Sequence, residues 1–196
     1  MKKIFIINAH QFYENSPGKL NEAMIKIMRG ELEAMDCKIK LTNIEKGYDA
    51  KEEVEKHLWA DIIITQSPVF WFGTPWIHKK YIDEVFNAGI VAQSMLTDDG
   101  RTRKDVNKQY GTGGKMQGKK HMLSLTWNAP KEAFGNKDQN MFDGKIVDEI
   151  FISYTSPYKF CGVKILPSFS CYDVKKNPDI EAYAEKMKIH LKNVVK

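Results

Sequence analysis

The sequence is poor in cysteine and has no long hydrophobic run. Its three cysteines, Cys37, Cys161 and Cys171, are an odd number without a C-x-x-C pair, which excludes a disulfide scaffold and a zinc-finger-like site. The longest apolar stretches, such as residues 62–64, are far too short to cross a bilayer. The N-terminal KKIFIIN segment runs directly into polar residues and does not resemble a signal peptide. We therefore expect reduced thiols, no metal site, no membrane insertion and a cytoplasmic protein.

Neither low hydrophobicity nor a strong excess of one charge is present. Hydrophobic residues make up 42% of the chain and charged residues 28%, so disorder is excluded. Lysine and arginine outnumber aspartate and glutamate by 30 to 25, a mild excess that favours anionic ligands. Because the basic residues are spread along the whole chain, they predict a solvated surface and no nucleic-acid partner. The length predicts a single domain, residues 1–196.

Apolar, β-branched runs alternate with helical patterns from one end of the chain to the other. This rhythm is typical of an α/β protein, with a parallel sheet covered by helices. Helical spacing of apolar residues is clearest in residues 20–35, 77–86 and 180–195, and weaker helices follow Ala50 and Gly144. Five strands are predicted, at Lys3–Asn8, Lys38–Asn43, Asp61–Ser67, Lys120–Trp127 and Val163–Phe169.

Residues 90–119 break the rhythm, with charges, glycines and no clear period. A connection of roughly thirty residues is long for a compact domain and predicts a functional or mobile loop. Gly113, Gly118 and Lys119 form a G-x-x-x-x-G-K pattern there, but a phosphate loop follows a strand, opens a helix and carries Ser or Thr after the lysine. Here Lys120 follows and a strand comes next, so the pattern is not a phosphate loop.

Several common catalytic motifs are missing. No G-x-G-x-x-G follows the first strand, which disfavours the usual dinucleotide site of dehydrogenases. There is no G-x-S-x-G nucleophile elbow, and the histidines are too scattered for H-E-x-x-H. His57, His78 and His190 fall in predicted helices and His121 at the start of a strand, so we expect packing or surface roles for them. His10, just past the first strand, is better placed for chemistry.

The loops after the first, third and fourth strands are where a ligand is expected, because open parallel sheets bind ligands beyond the carboxyl ends of their strands. In the first of these loops, Ser16 is expected to cap a helix, Pro17 to be its first residue and Gly18 to leave the backbone open to close approach. The unpaired N–H groups there suit a phosphate. Plain helix capping explains the same residues equally well.

The third loop is aromatic where loops are normally polar. One or two of its rings would be explained by closing the core, but the whole set, held by prolines, suits a flat heteroaromatic ring. The fourth loop adds hydrogen-bonding groups at residues 126–129. If the strands are ordered 2-1-3-4-5, the three loops share one crevice and describe a flavin nucleotide site. The aromatic residues are Phe70, Trp71, Phe72 and Trp76.

Over nearly the whole chain, the sequence resembles the flavodoxin-like NAD(P)H:quinone oxidoreductases and, among them, the bacterial modulator of drug activity B proteins. The most specific similarity is the P-x-x-W-x-G-x-P-W-x-x-K-K-Y-I-D motif from Pro68 to Asp83. Further similarities are DGRTRKD at residues 99–105, YGTGGKMQGKK at 110–120 and MLSLTWNAPKEAF at 122–134. DT-diaphorase is similar more distantly, through the W-F-G-x-P core of the third loop.

The resemblance implies a flavodoxin-like three-layer sandwich with a five-stranded parallel sheet, bound FAD, and a homodimer with active sites at the subunit interface. It implies that residues 16–23 hold the pyrophosphate and ribityl chain, that residues 69–72 support the isoalloxazine ring, and that residues 126–129 bond its edge. Tyr110 matches a flavin-contacting position, and His10 matches a histidine of DT-diaphorase. The predicted catalytic residues are Tyr110 and Trp71. The predicted cofactor-binding residues are His10, Ser16, Pro17, Gly18, Lys19, Leu20, Asn21, Glu22, Ala23, Pro68, Val69, Phe70, Trp71, Phe72, Gly73, Tyr110, Thr126, Trp127, Asn128 and Ala129.

The implied activity is two-electron, ping-pong reduction of ubiquinone- or menadione-type quinones to hydroquinones by NAD(P)H, with an antioxidant or detoxifying role. Arg101, Arg103 and Lys104 favour NADPH over NADH if they meet its extra phosphate; a solvated loop explains them as well. The alternatives are an FMN-binding flavodoxin-type electron carrier and an FMN-dependent azo- or nitroreductase. The basic charge and the long loop disfavour the carrier.

The chain departs from its bacterial relatives in the third loop. Residues 69–72 read Val-Phe-Trp-Phe where those relatives usually have Gly-Trp-Trp-Met, and Thr74 stands where they usually have Ala. The aromatic platform is retained, with a different shape over the flavin.

Overall fold

The computed structural model describes residues 1–195. Its strands are β1 (Lys3–Asn8), β2 (Lys38–Asn43), β3 (Ile62–Pro68), β4 (Lys120–Thr126), β5 (Lys164–Ile165) and β6 (Phe169–Cys171). They form a parallel sheet in the order β2-β1-β3-β4-β5, with β6 also paired to β4. The predicted strand order is confirmed, and the carboxyl ends of β1, β3 and β4 lie side by side.

Helices cover both faces of the sheet, as predicted. They are α1 (Lys19–Ala34), α2 (Ala50–Trp59), α3 (Trp76–Val91), α4 (Val147–Ile150), α5 (Ile152–Phe160) and α6 (Ile180–Val194). Successive side chains of a strand point to opposite faces, so Ile4 and Ile6 pack under α1 and α6, whereas Phe5 and Ile7 pack under α2 and α3. None of the helices within residues 1–195 is long and apolar enough to cross a membrane.

The last strand position differs from the prediction of one strand over Val163–Phe169. Two short strands occupy it, and both pair with β4: Lys164 lies opposite Lys120, and Phe169 lies opposite Ser124. Pro167 lies between them, and because proline has no N–H to donate, it interrupts the ladder. The chain then pairs again and runs on past the predicted end to Cys171.

The start of α1 also differs from the prediction. The helix begins at Lys19, and its N-cap is Gly18, in the left-handed region with φ 84°, rather than Ser16. The Ser16 N–H donates to the Tyr13 carbonyl at 2.8 Å in a tight turn, so Ser16 belongs to the loop and cannot cap the helix. Trp76, expected in the third loop, is the first residue of α3.

The long connection between α3 and β4 is built from turns. Two isolated antiparallel bridges shape it, Leu96 with Gly114 and Thr102 with Asp105. Met95 and Met116 are fully buried, so both ends of the segment are anchored in the core. The part between them is mostly exposed.

Three histidines are fully buried on the face of the sheet covered by α2, α3 and α5. The ring of His121 stacks on Tyr158 with centroids 3.6 Å apart, and His78 stacks on Tyr154 at 5.8 Å. Burial lowers the pKa of His57 to about 4 and the pKa of His78 to about 3, and it lowers the pKa of His121 well below its usual value. These rings are therefore neutral at neutral pH, and the expected packing role is confirmed.

A buried carboxylate joins three elements on the same face. Glu53 of α2 is fully buried and accepts hydrogen bonds from the Thr42 hydroxyl at 2.8 Å and the Tyr81 hydroxyl at 2.6 Å. The ammonium of Lys56 also donates to it, at 2.5 Å. These bonds offset the cost of removing the charge from water and tie α2 to β2 and α3.

Candidate functional site

The carboxyl ends of the strands open onto a crevice of about 570 Å³. The first, third and fourth loops all contribute to its lining, together with a segment after β6 that was not predicted to take part. A larger pocket, of about 960 Å³, lies between α1 and α2 beside β2, but it mixes acidic and basic side chains and includes Glu22. The crevice is lined by Tyr13, Asn15, Ser16, Pro68, Val69, Phe70, Trp71, Thr126, Asn128, Val174 and Lys175.

A chain of buried amides supports the start of α1 from below. The Asn21 amide donates to Asn8 Oδ1 at 2.8 Å, and Asn21 Oδ1 accepts from the Gln66 amide at 3.1 Å. Gln66 Oε1 in turn accepts from the Ser124 hydroxyl at 2.6 Å. The first turn of α1 is thereby fixed to the ends of β1, β3 and β4. The Asn21 side chain is used in this scaffold and does not line the crevice.

The N-terminus of α1 has no side-chain cap. Its first N–H groups have no partner within an α-helix, and the helix dipole adds partial positive charge at the same place. Gly18 lies directly against His10: a Cβ on Gly18 would fall 2.5 Å from His10 Cε1 and 2.6 Å from Nε2. His10 Nε2 donates to the Ser16 carbonyl at 3.1 Å. This bare, uncapped turn fits the phosphate of a nucleotide.

The third loop forms a tight aromatic turn. The Phe70 N–H donates to the Gly73 carbonyl at 2.8 Å, and the Gly73 N–H donates back to Phe70 at 3.1 Å. The two residues between them, Trp71 and Phe72, both have left-handed backbones, with φ 48° and 67°. Trp71 is 95% exposed, whereas the Phe70 ring meets Tyr13 edge-on at 5.2 Å. The turn presents an indole at the crevice and connects the third loop to the first.

The fourth loop supplies fewer groups to the crevice than predicted. The Trp127 side chain is 2% exposed and packs among Phe134, Phe142 and Phe151. Its backbone N–H donates to the Cys171 carbonyl at 2.8 Å, so the split last strand uses this donor. Asn128 and Thr126 remain at the crevice. The Trp127 side chain and its backbone N–H are therefore engaged within the fold, and Trp127 is not among the residues that line the crevice.

Other predicted residues lie outside the crevice. The ring of Phe72 faces Phe142 at 5.9 Å, and the Ala129 carbonyl accepts from the Asp173 N–H at 3.0 Å. Tyr110 lines a separate pocket of about 520 Å³, where its ring lies 5.1 Å from that of Phe160. The remaining predicted residues near the helix start, namely Pro17, Lys19, Leu20, Glu22 and Ala23, do not line the crevice, and Glu22 lines the larger pocket instead.

Four residues of the crevice were missed by the sequence reasoning. Tyr13 and Asn15 lie within the first loop, but neither matches a motif. Val174 and Lys175 follow β6, and they were missed because the last strand was expected to end at Phe169. Their position after a parallel strand could have identified them, because the residues that follow each strand of a parallel sheet lie at the same edge.

The residues present fit a flavin nucleotide. An uncapped helix start would suit a phosphate, the exposed indole and its turn would suit a planar ring, and the polar groups at the end of β4 would suit a ring edge. A doubly wound parallel sheet with strand order 2-1-3-4-5 and a crevice at its switch point defines the flavodoxin-like class of α/β proteins.

Comparison with known proteins agrees with this class. The family model described as the flavodoxin-like fold matches residues 2–194. The NADPH:quinone oxidoreductase MdaB of Haemophilus influenzae is 41% identical over 191 residues, which cover 97% of this chain and 98% of that protein. The chain therefore belongs to the flavodoxin-like family and, within it, to the family of MdaB.

Solved structures show the same fold. A proposed quinone reductase from Klebsiella pneumoniae superposes with a TM-score of 0.78 at 21% identity, covering 100% of this chain and 85% of that chain. General stress protein 14 of Treponema denticola, solved in complex with FMN, superposes with a TM-score of 0.67 at 17% identity, covering 98% and 99%. At these identities the likeness concerns the fold alone.

Proposed function

We propose that the protein is a flavin-dependent NAD(P)H:quinone oxidoreductase. The crevice carries this proposal, because one pocket of about 570 Å³ combines an aromatic turn, a polar strand end and the loop before an uncapped helix. Each part of a flavin nucleotide has a matching group there. The 41% identity to an NADPH:quinone oxidoreductase over nearly the full length supports the same activity.

Within this proposal the resident flavin is FAD, as the resemblance to the bacterial quinone reductases implies. The free N–H groups at the start of α1 would hold the pyrophosphate, and the missing side chain of Gly18 leaves room for the His10 ring beside them. A solved structure of the same fold contains FMN, so FMN is the alternative to be tested.

A bound flavin supplies hydride chemistry, taking a hydride from NAD(P)H and passing two electrons to a quinone. The chain positions both partners in turn at one site, which predicts ping-pong kinetics. In residues 1–195, the backbone N–H groups of Trp71, Phe72 and Asn128 have no partner within the protein, so they are free to bond the ring edge. The exposed Trp71 indole offers a face for nicotinamide and then for a ubiquinone- or menadione-type quinone. Two-electron reduction to the hydroquinone would serve an antioxidant or detoxifying role.

We further propose that the active form is a homodimer whose interface covers the third loop. Trp71, Phe72, Met141, Ile146 and Ile152 are all large apolar side chains that are about half exposed or more. They belong to the third loop and to the region of α4 and α5 beside it, where the Gly73 backbone packs close to the Tyr154 hydroxyl. Exposed apolar patches of this kind usually mark an interaction surface.

A second subunit would also give Tyr110 a role. Tyr110 lies away from the crevice of its own chain and is 64% exposed, so it reaches a flavin only if it enters the partner's crevice. Tyr110→Phe is then expected to raise the KM for quinone while the protein stays folded and dimeric. If quinone turnover and KM are unchanged, the role proposed for the hydroxyl is removed.

Oxidation of NADPH by the full-length chain, with menadione as acceptor, tests the activity. Parallel reactions contain added FAD, added FMN or neither, and NADH replaces NADPH in a second set. Turnover raised only by FAD supports the proposal and identifies its flavin. Turnover that requires FMN corrects the flavin and favours the azo- or nitroreductase alternative. The absence of both NADPH and NADH oxidation with either flavin rejects the proposed enzyme.

A further inference from the structure

The loop between β1 and α1, residues 9–18, is held from outside by a carboxylate that does not line the crevice. Glu45 lies in the short 3-10 turn Ile44–Lys46 that follows β2. Its Oε1 accepts from the Phe12 N–H at 2.7 Å. Its Oε2 lies 3.9 Å from His10 Nδ1. One side chain of the turn after β2 thus approaches this loop at two points.

These contacts continue to the start of α1 through the imidazole of His10. The opposite ring nitrogen, Nε2, donates to the Ser16 carbonyl at 3.1 Å. The same ring fills the space beside Gly18, where a Cβ would lie 2.5–2.8 Å from three of its atoms. The His10 side chain is only 10% exposed, so it has little room to rotate. The orientation of the ring fixes the position of Ser16 relative to the helix start.

We propose that Glu45 is a positioning residue for the phosphate end of the bound flavin. This inference rests on the proposed function, because it assigns the start of α1 to that phosphate. Glu45 does not touch the ligand; it holds His10 and the Phe12 backbone so that the uncapped N–H groups of α1 and the Ser16 turn keep the geometry that an anion needs.

The two oxygens of Glu45 make separable contributions. A glutamine keeps an acceptor for the Phe12 N–H but loses the negative charge beside His10. An alanine loses both. The contact between Glu45 Oε2 and His10 Nδ1, at 3.9 Å, is too long for a hydrogen bond, and the Glu45 side chain is 39% exposed, so water weakens this contact. The hydrogen bond to Phe12, accepted by a charged group, is the stronger of the two contributions.

The test compares a flavin that has a phosphate with one that lacks it. Full-length wild type, Glu45→Gln and Glu45→Ala are titrated with FAD, FMN and riboflavin, and binding is followed by the change in flavin fluorescence. We expect Glu45→Ala to weaken FMN binding about tenfold and Glu45→Gln about threefold, with riboflavin changed by less than about twofold. Glu55→Gln, at an exposed position of α2, removes the same charge and is expected to bind both flavins like the wild type.

The outcomes separate this inference from the proposed function. If the wild type binds neither FMN, FAD nor riboflavin, the proposed function fails and the role of Glu45 falls with it. If the wild type binds FAD or FMN and Glu45→Ala binds the same flavin equally well, only the inference is overturned. An equal loss for FMN and riboflavin also overturns it, because a general disturbance of the loop would not distinguish the phosphate. Urea unfolding of each variant confirms that the folded protein is being titrated.

Discussion

Replacing Gly18 with alanine tests whether the start of α1 requires a bare backbone. The residue has φ 84°, a conformation that costs alanine roughly 1 kcal/mol more than glycine. The new Cβ would lie 2.5 Å from His10 Cε1, so the ring has to move. Moving it breaks the bond from Nε2 to the Ser16 carbonyl, which is worth about 1 kcal/mol. Together these effects predict a loss of about 2 kcal/mol in the free energy of unfolding.

Gly118 provides a matched control. It also has φ 84°, but a Cβ there meets nothing within 4 Å. Gly118→Ala therefore reports the backbone cost alone, about 1 kcal/mol, and leaves the crevice untouched. Urea denaturation gives the two stabilities, and fluorescence titration gives the affinity for FMN. We expect Gly18→Ala, but not Gly118→Ala, to weaken FMN binding by about tenfold or more, since each tenfold corresponds to about 1.4 kcal/mol.

One result of comparing Gly18→Ala with Gly118→Ala would refute this reasoning. If the two alanine variants lose the same stability and bind FMN with the same affinity, the contact between His10 and Gly18 has no energetic consequence. The His10 ring would then have no part in shaping the start of α1 for a phosphate.

Three further predictions follow from other parts of the fold. Burial lowers the pKa of His57 to about 4 and that of His78 to about 3 in the folded protein, below the usual 6.5. Between these values and pH 6.5 the unfolded chain binds protons that the folded protein does not. The stabilisation is therefore complete above pH 6.5, and the free energy of unfolding falls by about 1.4 kcal/mol per pH unit for each ring as the pH decreases towards 4. Urea unfolding midpoints at pH 7 and pH 5 measure this decrease. If His78→Phe loses as much stability between these two pH values as the wild type does, the prediction is contradicted. Glu53→Gln is expected to lower the free energy of unfolding by about 3 kcal/mol, because the buried groups that bond Glu53 lose their charged partner. If the exposed Glu55→Gln lowers it by as much, the buried network is not stabilising. Trp71→Ala is expected to raise the KM for menadione up to about tenfold, because it removes an indole face that is 95% exposed within one chain at the crevice. An unchanged KM would remove Trp71 from the site.

The sheet was predictable because its signal is local. Ile4 to Ile7 and Ile62 to Ile64 are apolar runs bounded by polar residues, and each became a buried strand. The end of the sheet was less predictable, because a sequence shows that Pro167 interrupts pairing but not that the chain pairs again with β4 at Phe169. That renewed pairing depends on where β4 lies in the folded protein, which the local sequence does not report.

In the candidate site, too, the location was predictable from the sequence and the individual contacts were not. The three loops were identified because loops after parallel strands meet at one edge, and Ser16, Phe70 and Thr126 do meet there. The direction of individual side chains was not predictable. Trp127 reads like a ligand-binding group in TWNAP, but the aromatic residues that bury it come from a segment more than one element away. Gly18 as the N-cap depends on the His10 ring beneath it, and local propensity does not report that contact.

The turn at Trp71 and Phe72 sets the requirements of folding against those of the crevice. Two-residue turns with both φ values positive strongly prefer Asn-Gly, because bulky residues pay roughly 1 kcal/mol or more for each left-handed backbone. This chain keeps an indole and a phenyl ring there instead. A selection for thermostability alone would therefore favour Asn-Gly at these two positions and remove both rings in the same step. Improved variants of this protein have to be screened for turnover as well as for melting temperature.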